Sequence, residues 1–100
     1  MKYTKVVIKK STKPEKKLMA IFSDEKSKKT KTIHFGQAGA PDYTKTKDKD
    51  QRQRYLKRHR RRENWNVPDN AGSLSRWILW GESGALNTNI SNYKKKFKLK

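Results

Sequence analysis

Cysteine is missing from this chain, acids are scarce and no apolar run is long. Without thiols there is neither a disulfide framework nor a thiolate zinc site, and the usage fits a reducing compartment. No stretch approaches the roughly 18 apolar residues that a membrane span needs. The opening segment, Met1–Lys10, holds an apolar run of only three residues, Val6-Val7-Ile8, too short for the core of a secretory signal. With 100 residues and 31% apolar content, the sequence predicts one small domain. A chain of this size buries roughly 60–65% of its unfolded surface, so its stability is marginal.

What is abundant is positive charge. Nine acids stand against 27 Lys and Arg, a formal charge of +18, and it is divided into blocks. Residues 1–32 carry eleven Lys and three acids, and residues 33–50 three of each. Residues 51–64 carry seven bases and one acid, residues 65–93 one base and two acids, and residues 94–100 five Lys. The two terminal blocks are entirely Lys, whereas the middle one is mostly Arg. Lys is a hydrated point charge, while the Arg fork suits geometrically defined contacts. Seven bases within the eleven positions Arg52–Arg62 repel one another and do nothing for an isolated fold. They point to an acidic partner, a phosphate backbone or a carboxylate-rich protein surface.

The patterning predicts an α+β fold, an N-terminal three-stranded antiparallel β-meander followed by three α-helices packed on one face. Tyr3–Lys10, Lys17–Ser23 and Thr30–Phe35 are β-branched and aromatic runs of strand length, joined by polar connectors. Alternation puts Val6 and Ile8, then Leu18, Ala20 and Phe22, then Ile33 and Phe35 on the apolar face. His34 falls on the other. The meander occupies residues 1–36 and a loop follows over 37–47; Gly36 at the junction, with Gly39 and Pro41, supplies turn chemistry.

A basic helix is expected over 48–64, capped by Asp48 or Asp50. Its Tyr55, Leu56 and His59 stripe would face the sheet, with Arg54, Lys57, Arg58, Arg61 and Arg62 on the flanks and outer face. Pro68 prevents continuation. A short apolar helix is expected over 73–80, ending at Gly81, and a last helix with a Lys-rich tail over 86–98. In the latter Leu86, Ile90, Tyr93 and Phe97 form the core stripe. Lys94, Lys95, Lys96 and Lys98 sit at its negative dipole end.

No catalytic constellation is apparent, and the sequence predicts a non-enzyme with no cofactor, metal or small-molecule substrate. His34 and His59 lack the spaced partners of a metal site, and nothing arranges a nucleophile around Glu63 and Asp69. There is no Gly-Lys-Ser/Thr after the glycines of the loop, which excludes a phosphate cradle of the P-loop kind. Trp77 and Trp80 lie in an apolar run and read as core or protein interface, while Trp65, directly after the basic run, is the candidate for a surface contact with a base or another partner. The partner-binding set is Arg52, Arg54, Lys57, Arg58, Arg60, Arg61 and Arg62 with Lys94, Lys95, Lys96 and Lys98.

The segments Ile33–Asp48 and Arg52–Trp65, then Ala71–Trp80 and Ile90–Phe97, resemble a small basic protein family of nucleocytoplasmic large DNA viruses, the algal viruses and their giant relatives. The likeness spans roughly residues 30–97. It implies a virus with an icosahedral capsid of many components, an inner membrane and a double-stranded DNA genome, and it implies that this chain is a structural virion component. The first expectation is a minor capsid protein on the inner side of the shell, assembled in the cytoplasm of the infected cell. It would bridge acidic faces of the major capsid protein and other minor capsid proteins. A Lys tail extended from Lys94 would reach roughly 23–25 Å toward a neighbour. The alternatives are a packaging protein neutralising genome DNA and a nuclear-targeted factor that binds host components.

Overall fold

The computed structural model describes residues 3–100, so residues 1 and 2, the start of the segment expected as meander, lie outside the described residues. Three strands, β1 (Lys5–Lys10), β2 (Lys16–Ser23) and β3 (Thr30–Gln37), form one antiparallel sheet in the order β1-β2-β3. Its register sets Val6 opposite Phe22 and Ile8 opposite Ala20. Leu18 lies opposite Phe35, and Ala20 opposite Ile33. Paired residues in an antiparallel ladder project to the same side, so the seven apolar residues expected on one face share it. Val6, Ala20, Phe22 and Phe35 are buried there. The other face carries Lys5, Val7 and Lys9 outward. His34 lies on that face beside Met19, and its Nδ1 is 2.7 Å from Ser11 Oγ.

The segment expected as plain loop contains a helical turn, α1 (Tyr43–Thr46). The buried Asp42 makes it. One oxygen of its carboxylate accepts from the backbone N–H and the hydroxyl of Thr44, the other from Lys17 Nζ, which also donates to the Ala40 carbonyl. This ion pair fastens the loop to β2. Gly36 precedes it at φ 78°, where a Cβ would stand 2.7 Å from Leu79 Cδ1, so both the left-handed backbone and the close approach require glycine.

Helix α2 runs from Lys49 to His59, with Asp48 Oδ1 accepting from the N–H groups of Asp50 and Gln51. The expected start is therefore correct, but the expected end at residue 64 is not. Arg60, Arg61 and Arg62 lie in turns beyond the helix. The chain is drawn off the helical path because the Asn64 carbonyl accepts from Ser73 Oγ at 2.8 Å and from Asn70 Nδ2 at 3.3 Å. Asn70 then caps α3 (Ala71–Leu74) through a 2.8 Å bond from Ser73 N–H. Helix α3 passes directly into a π-helical turn, Ser75–Leu79, closed by Trp80 N–H on the Ser75 carbonyl at 2.9 Å. Helix α4 covers Leu86–Lys96. It is joined to this unit by Tyr93, whose hydroxyl donates to the Pro68 carbonyl at 2.8 Å. Burial holds that hydroxyl protonated well above the ordinary tyrosine value.

The Lys-rich tail is not an arm. Lys98 takes a left-handed turn at φ 56°, Leu99 is buried in the core, and Lys100 pairs with β1. Its N–H donates to the Thr4 carbonyl and its carbonyl accepts from Val6 N–H, both at 3.0 Å. The reach expected from Lys94 is thus replaced by a return onto the sheet, because an apolar residue after four lysines gains more by burial than by extension. Among the described residues no helix is long and apolar enough to cross a membrane.

Asn89 is the polar fastening of the helical layer. Its Nδ2 donates to the carbonyls of Ile78 (2.9 Å) and Ser83 (2.7 Å), and its Oδ1 accepts from Ser83 N–H at 3.1 Å. The chain passes so close that a Cβ on Gly81 would lie 2.6 Å from the Asn89 amide carbon. Replacing Asn89 by Ala strands these buried groups. The expected cost is about 2–4 kcal/mol, seen in urea titrations as a lower midpoint with an unchanged slope.

Candidate polyanion interface

The seven bases of the Arg52–Arg62 run do not act alike. Arg52 turns inward. Its Nε donates to the carbonyls of Gly81 (2.9 Å) and Trp80 (3.2 Å), Nη2 is 3.2 Å from Glu82 Oε1, and the side chain is only 12% exposed. It therefore leaves the expected partner-binding set and serves the fold. Arg54, Lys57 and Arg58 on α2, and Arg60, Arg61 and Arg62 in the turns beyond, are all exposed.

The stripe expected against the sheet is anchored on the helical layer instead. Tyr55 is buried and stacks on Trp80, with ring centroids 4.3 Å apart and planes at 7°, and on its other side meets His59 at 4.2 Å. A cleft lined by Phe35, Gly36, Tyr55, His59 and Leu79 lies between α2 and the end of β3. Burial, with the Glu63 charge adding to it, keeps the Tyr55 hydroxyl protonated well above the ordinary tyrosine value. Glu63, the single acid of the block, is used inside the turn. One carboxylate oxygen is 3.4 Å from His59 Nδ1 and the other accepts from Trp65 Nε1 at 3.0 Å. Gly72 permits this, since a Cβ there would stand 2.8 Å from the carboxylate.

Trp65, expected as a surface contact, is half-buried and belongs to a ladder of rings and cations. The Arg76 guanidinium lies between Trp65, at 5.1 Å from the ring centroid, and Trp77, at 4.2 Å. Lys96 Nζ is 4.5 Å from the Trp77 centroid and 5.7 Å from that of Phe97. Trp77 Nε1 donates to the Trp65 carbonyl at 2.9 Å, which ties the two rungs covalently distant but spatially adjacent. Arg76 is buried; its Nη1 donates to the Trp80 carbonyl at 3.1 Å, Nη2 is 3.8 Å from Glu82, and Nε has no partner among the described residues. Burial, and then the charge of Arg52, draws its pKa below the usual arginine value. The group stays charged nonetheless.

The ladder joins two basic blocks that are far apart in sequence. Arg54, Lys57, Arg60 and Arg61 border a groove that includes Trp65 and reaches Arg76, and through Trp77 the same seam meets Lys96 on α4. Arg58 borders a second, smaller depression with Arg54 and Lys57. Lys95 and Lys98 are exposed and Lys94 is half-buried. Sequence reasoning missed Arg76. The signal was there, as a lone cation inside the apolar run Leu74–Trp80 with a tryptophan beside it. Trp80 is buried and Trp77 half-buried, in keeping with their expected place in the core.

Residues 6–59, from the first strand to the end of α2, match the model of a family of unknown function, DUF5754. The chain belongs to that family. Arg54, Lys57 and Arg58 fall within the matched residues, whereas the turn arginines, the Trp65–Arg76–Trp77 stack and the α4 lysines lie beyond them. No curated protein and no solved structure matches the chain.

The division between inward and outward arginines has a direct consequence. Arg52→Ala takes the side-chain donor from the Gly81 carbonyl and leaves the Trp80 carbonyl and Glu82 to Arg76 alone, and should cost about 1–3 kcal/mol. Arg58→Ala, which loses no hydrogen bond or ion pair among the described residues, should change stability by no more than about 0.5 kcal/mol. Denaturant titrations of the two variants check the contrast.

Proposed function

We propose that the protein is a non-enzymatic structural component of a large DNA virus particle, and that it grips an extended polyanion, the genome DNA, through one continuous basic face. The viral setting comes from the resemblance of residues 30–97 to the family of such viruses described above. The observation that carries the binding mode is the ladder: Trp65, Arg76, Trp77 and Lys96 in sequence of contact unite the Arg54–Arg62 cations with the end of α4. Paired with the inward use of Glu63, this leaves cations in excess along the seam, with Glu82 as the exposed acid beside it. Such a surface suits a partner whose charge repeats along its length, and neutralising its phosphates releases counterions.

A second reading, the minor capsid protein that bridges acidic faces of neighbouring capsid proteins, draws support from one specific feature. The sheet face turned away from the helices carries Lys5 and Lys9 outward, a basic surface separate from the ladder. A bridge needs two such surfaces. The return of Lys100 onto β1 removes the extended arm that would have been the simplest second contact, and for that reason DNA is preferred.

Duplex DNA titrations at increasing salt test the proposal. The expected result is tight binding at low salt that falls roughly 10³–10⁵-fold between 50 and 200 mM if six to ten phosphates are contacted. The triple change Arg58→Glu, Arg61→Glu and Arg62→Glu should abolish it without unfolding the protein. In particles, the protein should leave together with the genome when DNA is removed. Retention in emptied shells would favour the capsid reading, and absence from particles would contradict both.

A further inference from the structure

The groove bordered by α2 and the turns has more in it than charge. Its lining brings Arg54, Lys57, Arg60 and Arg61 around the ring of Trp65, with Arg76 beneath, and it contains no carboxylate. Leu56 adds a second apolar wall. Its volume, about 830 Å³, lies within the range of small-ligand sites, about 300–1,000 Å³. Phosphate neutralisation alone requires no aromatic wall; Arg58 and Arg62, outside this groove, already offer plain cations to a backbone.

Trp65 is also set rather than loose. Its Nε1 donates to Glu63 Oε1 and the Arg76 guanidinium lies over its ring, so the ring is oriented before any partner arrives. Arg76 and Arg52 share one carboxylate, the exposed Glu82, which leaves positive charge uncompensated under the groove. An anion entering from outside offsets it.

We infer that this groove binds unpaired nucleotides, a single-stranded nucleic acid segment whose base lies against Trp65 while Arg54, Lys57, Arg60 and Arg61 hold the flanking phosphates. The inference rests on the polyanion reading above and adds to it the class of ligand. A duplex keeps its bases stacked on one another and presents no free ring face to Trp65, so it engages the cations alone. A single strand offers both groups at once, and base-on-aromatic stacking in a basic groove is tolerant of sequence.

The test uses the full chain and fluorescence anisotropy with labelled oligomers of about ten nucleotides, within the usual footprint of single-strand sites. Oligodeoxythymidine and oligouridine arms tell DNA from RNA as the source of the strand, and binding of either supports the inference. A duplex of equal length is the comparison. Trp65→Ala should weaken single-strand binding roughly ten-fold and duplex binding by a clearly smaller factor, which reflects only the loosened ladder, and Trp65→Phe should restore most of the single-strand loss. Arg61→Ala, a surface change that spares the fold, should weaken single-strand binding more than Arg62→Ala does. If the unchanged protein binds duplex but single-strand affinity is indifferent to Trp65 and to Arg61 over Arg62, the groove inference is overturned and the polyanion reading survives. If it binds neither nucleic acid and an acidic peptide takes the groove instead, both fall.

Discussion

The Arg76 guanidinium, enclosed between the rings of Trp65 and Trp77 and bonded to the Trp80 carbonyl, is the contact on which both the helical layer and its basic face depend. A buried cation is costly unless it is paired, and here the compensation is distributed. Two π faces, one carbonyl and a carboxylate shared with Arg52 replace the water that the group has lost. Cation–π attraction of this kind contributes about 0.5–2 kcal/mol per ring, with desolvation at the upper end. Because the same tryptophans touch the end of the basic turn and Lys96, the stack positions charge as well as core.

A chain with a charge of +18 has to keep its cations from undoing a small core. It does so by geometry. The apolar face of the sheet is covered by Leu74, Ile78, Leu79 and Tyr93 from the helical elements, and most lysines are left at strand ends, turns and the far face, where water screens them. The few acids are placed where a charge is useful: Asp42 on Lys17, Glu63 on His59 and Trp65, Asp48 at the start of α2, and Glu82 between two arginines. Leu99 and the pairing of Lys100 with β1 return the last basic block to the fold. The series from Arg54 to Arg62 remains outward, with its mutual repulsion unrelieved within the fold.

The meander was legible in the residues because period-two alternation of β-branched and aromatic side chains is a local signal, and Val6 pairs with Phe22 and Leu18 with Phe35 as that alternation requires. The cap at Asp48 was legible for the same reason. The end of α2 was not, since it depends on Asn64 reaching Ser73 and Asn70, contacts that exist only once the next segment has folded. Arg52 shows the limit for charge patterning. Nothing in a run of seven bases distinguishes the one that points at the Gly81 and Trp80 carbonyls from those that face water. The ladder was hidden for a further reason: it is assembled from Trp65, Arg76, Trp77 and Lys96, which have no shared period and meet only through the π-helical turn. Trp65 stood out by its place after the basic run as a surface contact and not as a rung of the ladder, and its partner Arg76 did not stand out at all.

The central claim is that two basic blocks distant in sequence form one binding face. Lysine-reactivity footprinting of the protein with and without bound DNA tests it most directly. The account predicts that Lys57, Lys95 and Lys96 lose reactivity together, while Lys5 and Lys9 on the opposite face of the sheet stay reactive. Protection of Lys57 without Lys95 and Lys96, or equal protection of every lysine including Lys5 and Lys9, would contradict it.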